Sequence, residues 1–170
     1  MTSFAPIVGE MPRALILGSM PGIESLRAGE YYAHPRNSFW RILGDLKLCD
    51  PLTAYALRTA SLARNSVALW DVLAACEREG SLDASIVRET ERANDIRSLL
   101  AQHPTIRAIY FNGAKAEQAF RKHIVSGLPA DRRGSYILKR LPSTSPAHAI
   151  PYSRKLHAWR IVLQHLEAKA

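Results

Sequence analysis

Ala14-Leu15-Ile16-Leu17-Gly18-Ser19-Met20-Pro21-Gly22 is the stretch from which the fold can be read. Its first four residues form an unbroken apolar run, and Gly18 stops it. A short apolar run without polar alternation, closed by a turn residue, suits a parallel strand covered on both faces. Three further segments follow the same rule: Val67-Ala68-Leu69-Trp70 stopped by Asp71, Ile106 to Phe111 stopped by Asn112-Gly113, and the weaker Tyr136-Ile137-Leu138. Between them lie helical spacings. Phe39, Leu43 and Leu46 predict a helix over 38–48, and a second is expected over 54–63. Asn94 is expected to cap a helix through Ile96, Leu99 and Leu100 that ends before Pro104. Ala116, Ala119 and Phe120 mark one over 114–125. A last helix from Ser153 turns Leu156, Trp159, Val162, Leu163 and Leu166 inward. Strands alternating with helices predict a single α/β domain over 1–170, a three-layer α/β/α sandwich around a four-stranded parallel sheet.

Composition narrows the class. The 170 residues are 47% hydrophobic and 22% charged, which excludes a disordered tail or a fibrous repeat. No apolar run approaches the ~18 residues that span a bilayer. The first residues lack the basic-then-apolar order of a signal peptide. Cys49 and Cys76 form no CxxC pair, so neither a disulfide scaffold nor a structural zinc site is expected. These features predict a cytoplasmic protein in a reducing compartment, with no membrane, metal or cofactor. Charge is segregated. Residues 1–120 hold 13 basic and 13 acidic side chains, whereas 121–160 hold nine basic ones and only Asp131, so that stretch carries the whole net charge of +8. A local basic field attracts polyanions, nucleic acid foremost.

In a parallel sheet the site lies at the carboxyl ends of the strands, so the segments just beyond them hold the candidates. Gly18 to Gly22 is neither a GxGxxG fingerprint nor a Walker A loop. It is either a plain turn or a bend whose backbone N–H groups face a ligand. Tyr31-Tyr32-Ala33-His34-Pro35-Arg36-Asn37-Ser38-Phe39-Trp40 places four aromatic rings, a histidine, an arginine and an asparagine within ten residues. Aromatic faces in a loop near a strand end can stack on a base. Asn37 has two roles open to it, capping the helix that begins at Ser38 or taking part in chemistry. Leu141-Pro142-Ser143-Thr144-Ser145-Pro146-Ala147-His148-Ala149 is a stiff hydroxyl-rich loop bracketed by basic residues, a typical phosphate contact.

These three elements, in this order, resemble the uracil-DNA glycosylase superfamily, and most of all its hypoxanthine-DNA (deoxyinosine) glycosylase branch. The resemblance spans roughly residues 13–166 and is weakest in the middle. It implies an enzyme that rotates a deaminated base (hypoxanthine, with uracil and xanthine as further candidates) out of DNA and hydrolyses its N-glycosidic bond. Asn37, in the HPxN segment, would then be the catalytic residue. Gly18, Ser19, Met20, Tyr32 and Asp71 would bind the base, with Tyr32 stacking on it. Pro142, Ser143, Thr144, Ser145, His148 and Arg140 would contact DNA. A monomer is expected. Two departures stand out: Met20 occupies a place where many relatives carry Asp or Asn, and Leu141 one where they carry His. They leave open a damage-binding module of the same fold without turnover. A nucleoside or nucleotide hydrolase on a similar sheet is the other alternative.

Overall fold

The computed structural model describes residues 1–166. Its strands are β1 (Ala14–Gly18), β2 (Val67–Asp71), β3 (Leu73–Ala75), β4 (Arg92–Ala93), β5 (Ala108–Asn112) and β6 (Ile137–Leu141). Its helices are α1 (Ile23–Ala28), α2 (Phe39–Asp45), α3 (Tyr55–Arg64), α4 (Ile96–Gln102), α5 (Ala114–His123), α6 (Ala130–Arg133) and α7 (Tyr152–Trp159), the last followed by a 3₁₀ turn over Arg160–His165. The main sheet has the order β2-β1-β5-β6, with every pairing parallel. This is the expected four-stranded α/β sandwich. Among the described residues no helix is long and apolar enough to cross a membrane.

Side chains alternate across a strand, and in this sheet both faces are apolar. Leu15, Leu17, Ile109 and Phe111 pack with Ile96, Leu99 and Leu100 of α4 and with Ala116, Ala119 and Phe120 of α5. Ala14, Ile16, Leu69 and Tyr110 pack with Phe39 and Leu43 of α2, Leu62 of α3 and Trp159 of α7. Each central strand therefore belongs to two cores, which explains why its sequence is a solid apolar run.

Several expectations need correction. The cap of α4 is Asp95, not Asn94: Asp95 accepts from the Ser98 N–H at 3.1 Å, while Asn94 donates to the Asp71 carbonyl. Leu163 is exposed rather than inward, because the chain beyond Trp159 tightens into a 3₁₀ turn that shifts the helical phase. The last strand runs on to Leu141, hidden in sequence by the exposed Lys139 and Arg140 of this sheet edge. The short antiparallel pair β3–β4 and helix α1 carried no periodic signal.

Candidate functional site

A cleft of about 400 Å³ opens at the carboxyl ends of β1, β2 and β5. That size suits one small planar ligand. The first two sequence elements meet in it. Gly18, Ser19 and Met20 follow β1, Asp71 ends β2, and Tyr32 and Asn37 come from the aromatic segment; all of them line the cleft. Ser143, Thr144, Ser145 and His148 line it as well, whereas Pro142 and Arg140 do not.

Tyr32 has φ 56, a left-handed conformation that costs a non-glycine residue of order 1 kcal/mol and is kept only where the surroundings impose it. Its ring stacks on Phe39, with centroids 3.9 Å apart and planes at 23°. Only one face of the ring is covered by that contact. Tyr31, in contrast, is a buried core ring whose hydroxyl donates to the carbonyls of Phe4 and Ala5. Asn37 serves the helix as well as the cleft. Its Oδ1 accepts from the Phe39 N–H at 3.0 Å, which leaves Nδ2 as the end without a protein partner among the described residues. His34 shapes the turn before it, since its Nδ1 accepts from the Arg36 N–H and its carbonyl from the Asn37 N–H.

A cross-brace joins the elements. Asn112, at the end of β5, donates through Nδ2 to Thr144 Oγ1 and accepts at Oδ1 from the Thr144 N–H, both at 2.9 Å. The Thr144 carbonyl in turn accepts from the N–H and the hydroxyl of Ser38. Thr144 is therefore fully buried, which corrects its expected place among DNA-facing hydroxyls; it holds the loop instead. Gly113, at φ 97 beside Ser143, needs its missing side chain to make this approach. Pro142 accepts from the Trp159 indole N–H, and the Ser145 carbonyl accepts from buried Lys155, whose pKa burial lowers. Pro146 to Ala149 form the exposed tip.

The basic stretch is partly neutralised inside the protein. Arg121 and Arg140 both pair with Glu117. Lys122 pairs with Glu91, which Lys115 and His123 also hold; these hydrogen bonds outweigh the effect of burial and bring the Glu91 carboxyl down to about 2. Lys139, Arg154 and Arg160 are exposed and unpaired among the described residues.

Several residues of the site were invisible in the sequence. Asp83 accepts from the Ser19 hydroxyl at 2.6 Å and lines the cleft. Arg78, buried beneath the same bend, donates to the carbonyls of Pro21 and Gly80 and lies 3.9 Å from Asp83. Ser81 accepts from the Ile23 N–H. Ser3 donates to Asp71 Oδ2 at 2.7 Å. Burial raises the Asp71 carboxyl to about 7; the charge of Asp83 adds to the rise, while the Ser3 hydroxyl and Arg78 oppose it. Met20 is buried against the apolar core on the α4–α5 side while also bordering the cleft.

A parallel-sheet sandwich with an aromatic plate, a carboxamide and a braced hydroxyl loop around a base-sized cleft has the layout of a base-excising enzyme. The profile of the uracil DNA glycosylase superfamily matches residues 6–167, and the chain belongs to that family. It is 36% identical over 165 residues to a hypoxanthine DNA glycosylase of Methanosarcina acetivorans, covering 95% of this chain and 97% of that one. It is 40% identical over 115 residues to a hypoxanthine DNA glycosylase of Methanosarcina barkeri, covering 66% and 71%. A solution NMR structure of a candidate uracil DNA glycosylase from Methanosarcina acetivorans superimposes with a TM-score of 0.78 at 36% identity, covering 98% of both chains.

Proposed function

We propose that the protein is a monofunctional DNA glycosylase that hydrolyses the N-glycosidic bond of hypoxanthine in DNA and leaves an abasic site. The observation that carries this reading is the convergence of Asn37, Tyr32 and the Gly18–Met20 bend on one cleft in a chain of this family. The curated relatives of this sequence are hypoxanthine DNA glycosylases, which supports the choice of base. Uracil and xanthine, which share the same ring edge, are secondary substrates in this reading.

The chemistry follows from the side chains. Loss of a base passes through an oxocarbenium-like sugar. The base departs with negative charge, so donors fixed where that charge develops lower the barrier. Asn37 Nδ2, together with the N–H groups of Ser19 and Met20, fills that role. An amide is not a base at neutral pH, so Asn37 orients and donates rather than removing a proton. Flipping is cheaper for a mispaired base, which adds selectivity before chemistry begins. No lysine borders the cleft among the described residues, and an amine nucleophile is what a lyase step would need. The exposed tip after Ser145 faces DNA, with Lys139, Arg154 and Arg160 as phosphate partners. The protein acts as a monomer in the cytoplasm, in keeping with two buried free thiols.

The test is excision from labelled duplexes that hold hypoxanthine, uracil, xanthine or only normal bases. Abasic product from the hypoxanthine duplex is expected. Tight binding to that duplex with no product after long incubation would overturn the reading in favour of a binding module.

A further inference from the structure

Breaking a glycosidic bond develops charge at both of its ends. The base takes up negative charge, which amide and backbone donors can meet. The sugar takes up positive charge at C1′, and a fixed carboxylate is the side chain that best answers it. Among the described residues three carboxylates line the cleft: Glu24, Asp71 and Asp83. Glu24 is committed to Arg27 at 2.9 Å on the surface of α1. Asp71 is only 3% exposed, deep where the base itself would lie. The Asp83 side chain is 44% exposed, so it stands toward the mouth, where an extruded nucleotide keeps its sugar joined to DNA.

Asp83 is also held in place. Its Oδ1 accepts from the Ser19 hydroxyl at 2.6 Å and lies 3.9 Å from Arg78 Nη1, whereas Oδ2 has no protein donor among the described residues. Arg78 is buried, donates to the Pro21 and Gly80 carbonyls, and keeps Nη1 without a hydrogen-bond partner among the described residues. A guanidinium this close favours the ionised carboxyl. Ser81 accepts from the Ile23 N–H, so the 78–83 segment is pinned to the bend and the start of α1 at three points. Burial raises the Asp83 carboxyl, while the Ser19 hydroxyl, Arg78 and Lys115 act the other way.

We infer that Asp83 is a catalytic carboxylate whose Oδ2 faces the cation forming at C1′ and accepts from the attacking water. This inference rests on the glycosylase reading above and deepens it. The C1′–N bond breaks with its electron pair going to the base. The water oxygen bonds to C1′, and the proton it sheds passes to Oδ2 and then through solvent to the departed base. Ser19 takes a double role, since its N–H faces the base and its hydroxyl orients the carboxylate. Groups for the two opposite charges are thus fixed around one residue.

Asp83→Asn tests this, because the amide oxygen can still accept from Ser19. Single-turnover excision of hypoxanthine should fall roughly hundredfold or more. Affinity would also be measured for two duplexes that carry no base: one with a pyrrolidine, protonated where the sugar cation forms, and one with neutral tetrahydrofuran. The wild type should prefer the pyrrolidine duplex, and the variant should lose about tenfold of that preference while binding the tetrahydrofuran duplex as before. A purely structural role predicts a lower melting temperature and both affinities reduced alike, and would overturn the inference. A wild type that binds the two duplexes equally would overturn it without any variant. So would a variant that excises hypoxanthine at the wild-type rate, with the glycosylase reading left intact. A wild-type protein that releases no base from any duplex would overturn both.

Discussion

Ser3 and Asp71 are 68 residues apart in sequence, yet the Ser3 hydroxyl donates to Asp71 Oδ2 at 2.7 Å. The N-terminal segment runs back along the edge of the sheet, where Ile7 bridges Leu69 and Thr2 bridges Ala75. It also receives the Trp70 indole N–H on the Phe4 carbonyl. The strap thus fixes which oxygen of Asp71 is taken by a protein donor.

This contact has a pH signature. Burial raises the Asp71 carboxyl to about 7, with Asp83 pushing the same way and Ser3 and Arg78 opposing it. Tyr31 and Tyr32 face it as neutral phenols whose own pKa values burial raises. Ser3→Ala removes a hydrogen bond to the charged form, so the carboxyl titrates at still higher pH. With Asp71 in the proposed base site, the rate of hypoxanthine excision should rise with pH through about 7 in the wild type. In the variant that rise should move to higher pH. A profile that does not move would show that the contact leaves Asp71 unaffected.

The same shift acts on stability. The folded state holds the Asp71 proton more tightly than the unfolded chain, whose ordinary value is 3.8. Its contribution is therefore complete below that value and is lost as pH rises through about 7. Asp71→Asn should remove this loss, raising the melting temperature above pH 7 more than at pH 5. Thermal scans of both proteins across that range decide it.

The Asn37 bond to the start of α2 and its proposed part in excision can be separated by one substitution. Asn37→Asp keeps an oxygen for the Phe39 N–H but loses the Nδ2 donor. Its stability should stay within about 1 kcal/mol of wild type, while hypoxanthine excision falls roughly hundredfold or more. An Asp variant as active as wild type would reduce Asn37 to a helix cap.

Gly18→Ala places a methyl group 2.3 Å from Asp71 Oδ1. Something must shift, and the atom in the way is a buried carboxylate. Excision should fall about tenfold or more while the sheet still forms, because the β1 backbone pairs on both sides of this residue's strand. Circular dichroism and single-turnover rates together check this.

Glu91 ties the segment before α4 to α5 through Lys115, Lys122 and His123, with only 1% of its side chain exposed. Its carboxyl lies at about 2, below its ordinary 4.5, so its contribution is full above 4.5 and disappears as pH falls toward 2. Glu91→Gln should cost about 2 kcal/mol at pH 7 and less at pH 3. Denaturant melts at the two pH values measure the difference.

Local chemistry made the strands, most helices and the three loop elements legible. β1 and β5 are solid apolar runs because both faces are covered, and glycine or asparagine ends each. Tyr32 and Asn37 stood out because aromatic and amide side chains crowd a proline-containing turn. Ser3, Arg78 and Asp83 did not, and Asn112 read only as the residue that ends its strand. Each acts through a partner 32 or more residues away, and a lone serine, arginine or aspartate in a loop has no local pattern. Thr144 was misplaced for the same reason. Among hydroxyls between prolines it reads as exposed, and only the Asn112 carboxamide across the sheet end draws it inward.

The Glu117 and Glu91 pairings carry a consequence for how the protein holds a duplex. Three of the nine cations in the basic stretch, Arg121, Lys122 and Arg140, already have carboxylate partners, and the proposed phosphate contacts are Lys139, Arg154 and Arg160. The logarithm of affinity should therefore decline gently with the logarithm of salt, at a slope of roughly −3 for three phosphate contacts. A searching enzyme with so light an ionic grip leaves undamaged sequence readily, and its residence at a lesion is set by the captured nucleobase.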